Sequence, residues 1–350
     1  MPRVWDVPVH DSTRVRDARV AAEHAAALAG LDEKRTAAAA LVATELATNL
    51  LKHAGGGQVL IDVVAPPVLT QCRDGARAVQ IATVDHGPGI ADVPAALGDG
   101  FSTTRSLGAG LGTCLRVADE FDLHSVPGRG TVALARLGSG DATSREAVGL
   151  RAGGVNIPFA GAEYSGDAFA WVRADDRLTL MLADGLGHGP EAARASTAAV
   201  EALRRSAHLG PAELLRQLDT ALGGTRGAAV AVAQVDTRAE RLRFAGIGNV
   251  GARLREGDRW RHLVSRPGIV GVHRHASLRE EEVAWGADRL LILHSDGLPS
   301  RWVPPSDGSL ATADPAVTAA VTIRDASSPA SPVRDDTAVA VLTSTPPDRP

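Results

Sequence analysis

Four aspartates in the second half of the chain, Asp167, Asp184, Asp296 and Asp335, each stand beside an apolar run. Asp184 closes LTLMLA and is followed by Gly185 and Gly187, Asp296 closes RLLILHS, and Asp167 and Asp335 precede AFAWV and TAVAVLT. A carboxylate at the end of a buried strand is held stiffly beside solvent, which suits a hard divalent cation, although an Asp-Gly pair is also an ordinary turn. In an antiparallel sheet the strand directions alternate, so two starts and two ends can share one edge. Four carboxylates gathered there would repel one another unless a cation sat among them. Four unrelated strand-flanking turns are the plainer alternative.

A second set lies in the first half. ELATNLLKHA puts Glu45 and Asn49 four residues apart on one helix face, with Leu41, Val42, Leu46 and Leu50 assigned to a core-facing side. The alternative is a solvated polar face. Asp85 ends the apolar run AVQIATV and is followed by Gly87 and Gly89. It could accept a hydrogen bond from an exocyclic amine while the glycines let a planar ring lie close to the backbone; a plain turn is the alternative. Gly108, Gly110 and Gly112 lead into a helix expected over 113–121, and a glycine-rich loop at a helix N-terminus favours an anion. The G-x-G-x-G spacing and the polar FSTTRS before it argue against a dinucleotide fingerprint. Thr131 opens the strand after GRG.

The elements that position these residues divide the chain in two. A strand VWDVPV, a long alanine-rich helix capped by Asp11, Ser12 or Thr13 and ended by Gly30, the helix of Glu45, and strands QVLIDVV and AVQIATV make an α/β first half. Residues 138–154 are small and polar and read as a linker or a domain-edge strand. Beyond them strands dominate, with helices expected only at 190–206 and 211–222, the first opening on Pro190 and Glu191.

With 350 residues there is room for about two domains, and 44% hydrophobic with 22% charged residues marks a globular chain. A net charge of -4 offers no basic face for nucleic acid. No signal segment or membrane span is read, so the expected location is the cytoplasm. Cys72 and Cys114 are too few and too separate for a disulfide framework or a zinc site.

The order of motifs carries more than any one of them. ELATN, DHGPG, GAGLG and GRGT together resemble the ATP-binding (GHKL) fold shared by histidine kinases, Hsp90-type chaperones and gyrase-type ATPases. The stretch from DGFSTTRS to GRGT resembles more narrowly the RsbT-like serine kinases of bacterial stress signalling. In the second half SGD, ADGLGHG, FAGIGNVGARL, PGIVG, HSDGL and RDDTAVAVL occur in the order of SpoIIE-type metal-dependent (PPM) serine/threonine phosphatases, nearest the RsbX-like branch.

These resemblances imply an α/β (α+β) chain: a GHKL-type α/β sandwich ATPase domain at 1–137, a linker at 138–154, a PPM-type β-sandwich flanked by helices at 155–343, and a tail at 344–350. They imply that Asn49 binds the Mg²⁺ of ATP and Glu45 is the general base. Asp85, Gly87, Gly89 and Thr131 would hold adenine, and Gly108, Gly110 and Gly112 would wrap the phosphates, with Arg105 a phosphate clamp or a surface arginine. Asp184 and the Gly185 carbonyl would serve two Mn²⁺ or Mg²⁺ ions, with Asp167, Asp296 and Asp335 completing the ligands and Asp336 supporting them. Ala170 replaces a second acidic residue of the SpoIIE-type pattern, and Leu186 stands where eukaryotic relatives have a proposed general acid. The implied function is a bifunctional kinase and phosphatase acting on STAS-domain signalling proteins, with a sigma-factor regulator as a further partner. The alternative is an anti-sigma-type switch whose first domain only senses ATP, leaving the phosphatase as the one enzyme activity.

Overall fold

The computed structural model describes residues 3–65, 77–98, 110–138, 149–272, 278–328 and 331–344. Among them the first half forms β1 (Trp5–Val9), α1 (Ser12–Ala29), α2 (Glu33–Asn49), β2 (Gly57–Val64), β3 (Ala78–Val84), α3 (Val93–Leu97), α4 (Gly110–Val117), β4 (Glu120–Val126) and β5 (Gly130–Leu137). The strands make an antiparallel sheet in the order β1-β2-β3-β5-β4. Alternation sends Val7, Val59, Ile61, Val79, Ile81, Ala133 and Ala135 to one face, against the buried alanines of α1 and α2. Asp11 caps α1 through the amides of Thr13 and Arg14, and Gly30 ends it at φ 75°.

The second half contributes β6 (Leu150–Ile157), β7 (Asp167–Ala174), β8 (Arg177–Gly185), α5 (Pro190–Arg205), α6 (Pro211–Ala221), β9 (Ala228–Asp236) and β10 (Arg241–Ile247). It continues with β11 (Gly251–Glu256), β12 (Arg259–Leu263), β13 (Glu281–Ala284), β14 (Leu290–His294), α7 (Pro315–Ala326) and β15 (Thr337–Ser344). One sheet runs β13-β10-β9-β8-β7 and the other β12-β11-β14-β15-β6. Leu180, Leu182, Ala231, Phe244, Leu291, Leu293 and Ala340 fill the space between them. Helices α5 and α6 cover the outer face of the first of these sheets.

The strand β6 begins at Leu150 and pairs along the whole of β15, so the stretch read as a linker or a domain-edge strand ends in such a strand. Three sequence expectations need correction. Helix α4 stops at Val117, and Phe121 belongs to β4. Leu41 is exposed rather than in the core, because it lies one turn before Glu45 and on the same face. Most consequentially, 315–326 is a helix. Pro315 through Arg324 are all buried, so α7 lacks the polar stripe by which a surface helix is read.

That helix is a layer between the two halves. One side of α7 packs on Val155, Ile157, Val339 and Val341 of the β6–β15 sheet, and the other on Leu60, Ala82, Val84, Val132 and Leu134 of the first half. At its N-terminal end Asp314 caps α7 through the Ala316 amide and accepts both guanidinium nitrogens of Arg136, at 2.7 and 2.8 Å. Arg136 also donates to Gln80, whose amide reaches the Gly154 carbonyl. No helix among the described residues is long and apolar enough to cross a membrane.

On the same sheet face, Asp62 lies between Leu60 and Val64, and burial pushes its carboxyl up to about 7. An unfolded aspartate titrates near pH ~4, so the Asp62 contribution is fully present below that value and is lost as pH rises through about 7. Asp62→Asn is expected to raise the thermal midpoint at pH 8 and leave it unchanged below pH ~4. A melting series across that range checks this, and a gain that persists at low pH would contradict it.

Candidate active sites

In the second half the ladders do the gathering. Asp167 opens β7 directly opposite Asp184 at the end of β8. Asp296 follows β14 and Asp335 precedes β15, the strand paired with it. A Cβ on Gly297 would lie 2.3 Å from the Asp336 carbonyl oxygen, so glycine there lets the Asp296 turn close onto the Asp335 segment. Asp336 accepts the amides of Phe159 at 2.8 Å and Gly166 at 2.9 Å, one on each oxygen, which ties the β15 approach to the turn before Asp167. Gly185 also donates its amide to the Gly166 carbonyl, and a Cβ there would meet the Ala192 carbonyl oxygen at 2.2 Å.

The electrostatics fit a cation. Asp167 is 2% exposed and its Oδ2 has no hydrogen-bond partner. Burial first, then Asp184, raise its carboxyl well above the ordinary range, against a hydrogen bond from Ser295. Burial and the charges of Asp296, Asp335 and Asp336 push Asp184 up to about 7. Burial and Asp335 raise Asp296 as well, while Asn249 donates to its Oδ2. Buried carboxylates pressed together, all offering oxygen, are a donor set for a hard divalent ion. Among the described residues no three of these groups converge on one point as they stand. The folded backbone gathers the aspartates along an edge, and a bound ion would draw their side chains together.

In the first half α2 carries Glu45 and Asn49 and then continues as a π-helical turn, Leu50–Ala54. Such turns are rare and concentrate at functional sites. This one brings Ala54 against Gly87, where a Cβ would lie 2.7 Å away. Asn49 Nδ2 is buried without a partner, and Asn49 Oδ1 would sit 3.5 Å from a Cβ on Gly110, the first residue of α4. Burial raises the Glu45 carboxyl, with Lys52 opposing. Burial, followed by Glu45, pushes the Cys114 thiol up to about 12, as befits a core thiol.

Asp85 follows β3 and accepts the amides of Gly87 and Thr131, both on Oδ1, so Oδ2 is not consumed by them. Burial raises its carboxyl, while those amides and Arg324 lower it. Gly89 has φ 72° and its Cβ would meet the Val126 carbonyl oxygen at 2.4 Å. The Thr131 hydroxyl is shared with Ser125 at 2.8 Å. Gly112 is buried inside α4. Gly108, Arg105 and Cys72 lie outside the described residues.

The matches to known families follow this division. Residues 9–136 match the histidine kinase-like ATPase domain, and residues 174–344 match the stage II sporulation protein E (SpoIIE) family. The chain joins a histidine kinase-like ATPase domain to a SpoIIE-type phosphatase domain. Over 88 residues the chain is 44% identical to the serine/threonine-protein kinase RsbT of Bacillus subtilis (strain 168). That stretch is 25% of this chain and spans 61% of the kinase's own length. Among solved structures, a chain of the bacterial stressosome is 27% identical with a TM-score of 0.49, over 55% of this chain and 98% of its own. RsbX in complex with magnesium is 19% identical with a TM-score of 0.48, over 57% and 98%.

Asp184, Asp296 and Asp335 fall inside the SpoIIE-type match; Asp167 precedes it and is joined to it by the β7–β8 ladder. Sequence reasoning missed the residues that hold these aspartates. Asn156 donates to the Asp167 carbonyl and Ser165 bridges Asn156 to the Asp167 amide. Asn249 had a signal, since it sits in the word GIGNVG, but its service to Asp296 depends on the turn between β10 and β11.

Proposed function

We propose that the chain is a bifunctional enzyme of bacterial stress signalling, an ATP-dependent serine kinase in its first domain and a phosphoserine phosphatase in its second. Both act on STAS-domain signalling proteins. The carrying observation is the row of Asp167, Asp184, Asp296 and Asp335 along one edge, with a buried, unpartnered Asp167 oxygen. These residues, with the Gly185 carbonyl, would hold two Mn²⁺ or Mg²⁺ ions, which supply a deprotonated water at neutral pH. Asp336, Asn156, Ser165 and Asn249 keep the donors in register.

In the ATPase domain Asn49 would take the Mg²⁺ of ATP, and Asp85, Gly87, Gly89 and Thr131 would take adenine. Gly110 and Gly112 stand in the first turn of α4, which would serve the phosphates. Glu45 receives the proton of the attacking serine hydroxyl, and a carboxyl raised by burial is the better base near neutral pH. With purified protein, Mg-ATP and a STAS-domain partner, one serine becomes labelled, and added Mn²⁺ then strips the label. Glu45→Ala should cut labelling roughly a hundredfold or more while ATP binding by calorimetry persists. Label that resists Mn²⁺, or a variant that labels at the normal rate, counts against the proposal.

A second reading has its own support. The adenine loop abuts the far end of α7: His86 Nε2 lies 3.0 Å from the Arg324 carbonyl oxygen, and Arg324 donates to the Gly130 carbonyl at 3.3 Å. A domain that only senses ATP would report to the phosphatase by that contact. In that case Glu45→Ala leaves signalling in cells unchanged.

A further inference from the structure

The phosphatase edge also carries a cation that the reaction described so far does not use. Continuing the β8–β9 ladder, in which Gly185 opposes Ala228, brings Arg226 opposite Gly187. The Arg226 guanidinium lies over that glycine: a Cβ on Gly187 would be 3.1 Å from Arg226 Nη1, and its φ of 83° also favours glycine. The backbone on either side of Arg226 is fixed. The Thr225 hydroxyl donates to the Leu222 carbonyl and accepts the Gly227 amide, and the Leu186 amide donates to the Gly227 carbonyl at 3.1 Å. Gly227, at φ 83°, is pressed onto Ile269 and Val270.

Arg226 is nonetheless exposed and makes no ion pair among the described residues. Nor does it form an ion pair with Asp167, Asp184 or Asp296 among the described residues. A guanidinium held over Gly187, three residues beyond Asp184 in the same turn and paired with no acid among the described residues, suits an incoming anion. Large apolar side chains are exposed on the neighbouring turns: Leu186 next to Gly187, Phe159, whose ring centroid lies 6.0 Å from that of His188, and Val272, which packs against Gly227. Such a rim fits a protein surface better than a small soluble ester.

We infer that Arg226 binds the phosphate of the phosphoserine substrate, holding it over the aspartate edge while Leu186, Phe159 and Val272 meet the surrounding protein. This rests on the phosphatase reading. Arginine suits the role because its planar fork can engage two phosphate oxygens at once. The full-length chain loaded with Mn²⁺ is assayed on a phosphoserine peptide, and its binding of inorganic phosphate is measured by calorimetry.

Arg226→Ala is expected to raise KM and the phosphate dissociation constant about tenfold or more, with a smaller change in kcat and unchanged Mn²⁺ affinity. Arg226→Lys should recover part of the loss, because a point charge keeps attraction without the fork. Phosphate binding and KM within twofold of the parent would overturn the inference, as would a loss of Mn²⁺ affinity in the alanine variant. If the parent protein hydrolyses nothing yet binds phosphate through Arg226, the phosphatase reading fails and this one stands.

Discussion

Asp184→Asn is expected to abolish Mn²⁺-dependent dephosphorylation, by roughly a thousandfold or more, about 4 kcal/mol of barrier, while ATP-dependent labelling by the first domain continues. Asp184 stands among the others: Asp167 faces it across the ladder, and Asp296, Asp335 and Asp336 all raise its carboxyl. An amide of the same shape keeps the packing and removes the charge that two cations would share. The variant should therefore fold, and should be the more stable of the two without metal at pH 8. The sign follows from the raised carboxyl at about 7: its contribution is lost as pH rises from ~4 through that value. Added Mn²⁺ should raise the melting point of the parent much more than that of the variant. Phosphatase activity within tenfold of the parent would remove Asp184 from the centre of the site. Loss of both activities together would instead point to a folding defect.

The aspartates could be read from sequence because each sits at the end of an apolar run, and a strand end is a local property. Their supports could not. Asp336 reaches Phe159 and Gly166 across some 170 residues of chain, and Asn156 serves Asp167 through a backbone carbonyl that any residue would supply. The π-helical turn after Asn49 was equally hidden, since LLKHA reads as ordinary helix. Helix α7 was missed for the opposite reason. Amphipathicity reports a boundary between core and solvent, and α7 meets no solvent over most of its length. The division into two domains was legible from the change in motif order. That they share a buried layer was not, because Arg136, Asp314 and Arg324 sit in stretches with no motif of their own.

That shared layer makes the second large effect. Asp314→Ala is expected to destabilise the whole chain by about 3–5 kcal/mol, because it leaves Arg136 charged in a buried position without its partner. Arg136 is 2% exposed; Glu120 would remain to it, but Glu120 is an exposed carboxylate and meets only one of its nitrogens. Burial alone would raise Asp314, yet Arg136 and Arg151 outweigh it and hold the carboxyl down at about 2. Its stabilising contribution is thus complete above pH ~4 and is lost as pH falls toward 2, the reverse of Asp62. Urea unfolding at pH 7 followed by tryptophan fluorescence, to which the second half contributes four of the five tryptophans, and by nucleotide binding in the first half should give one coincident transition, moved to lower urea in the variant. Two separated transitions in the parent would mean that α7 does not join the halves into one cooperative unit. A double variant with apolar residues at both positions should recover most of the loss, since removing both charges leaves nothing buried and unpaired. If it does, the pair is there for the fit between the two domains more than for stability.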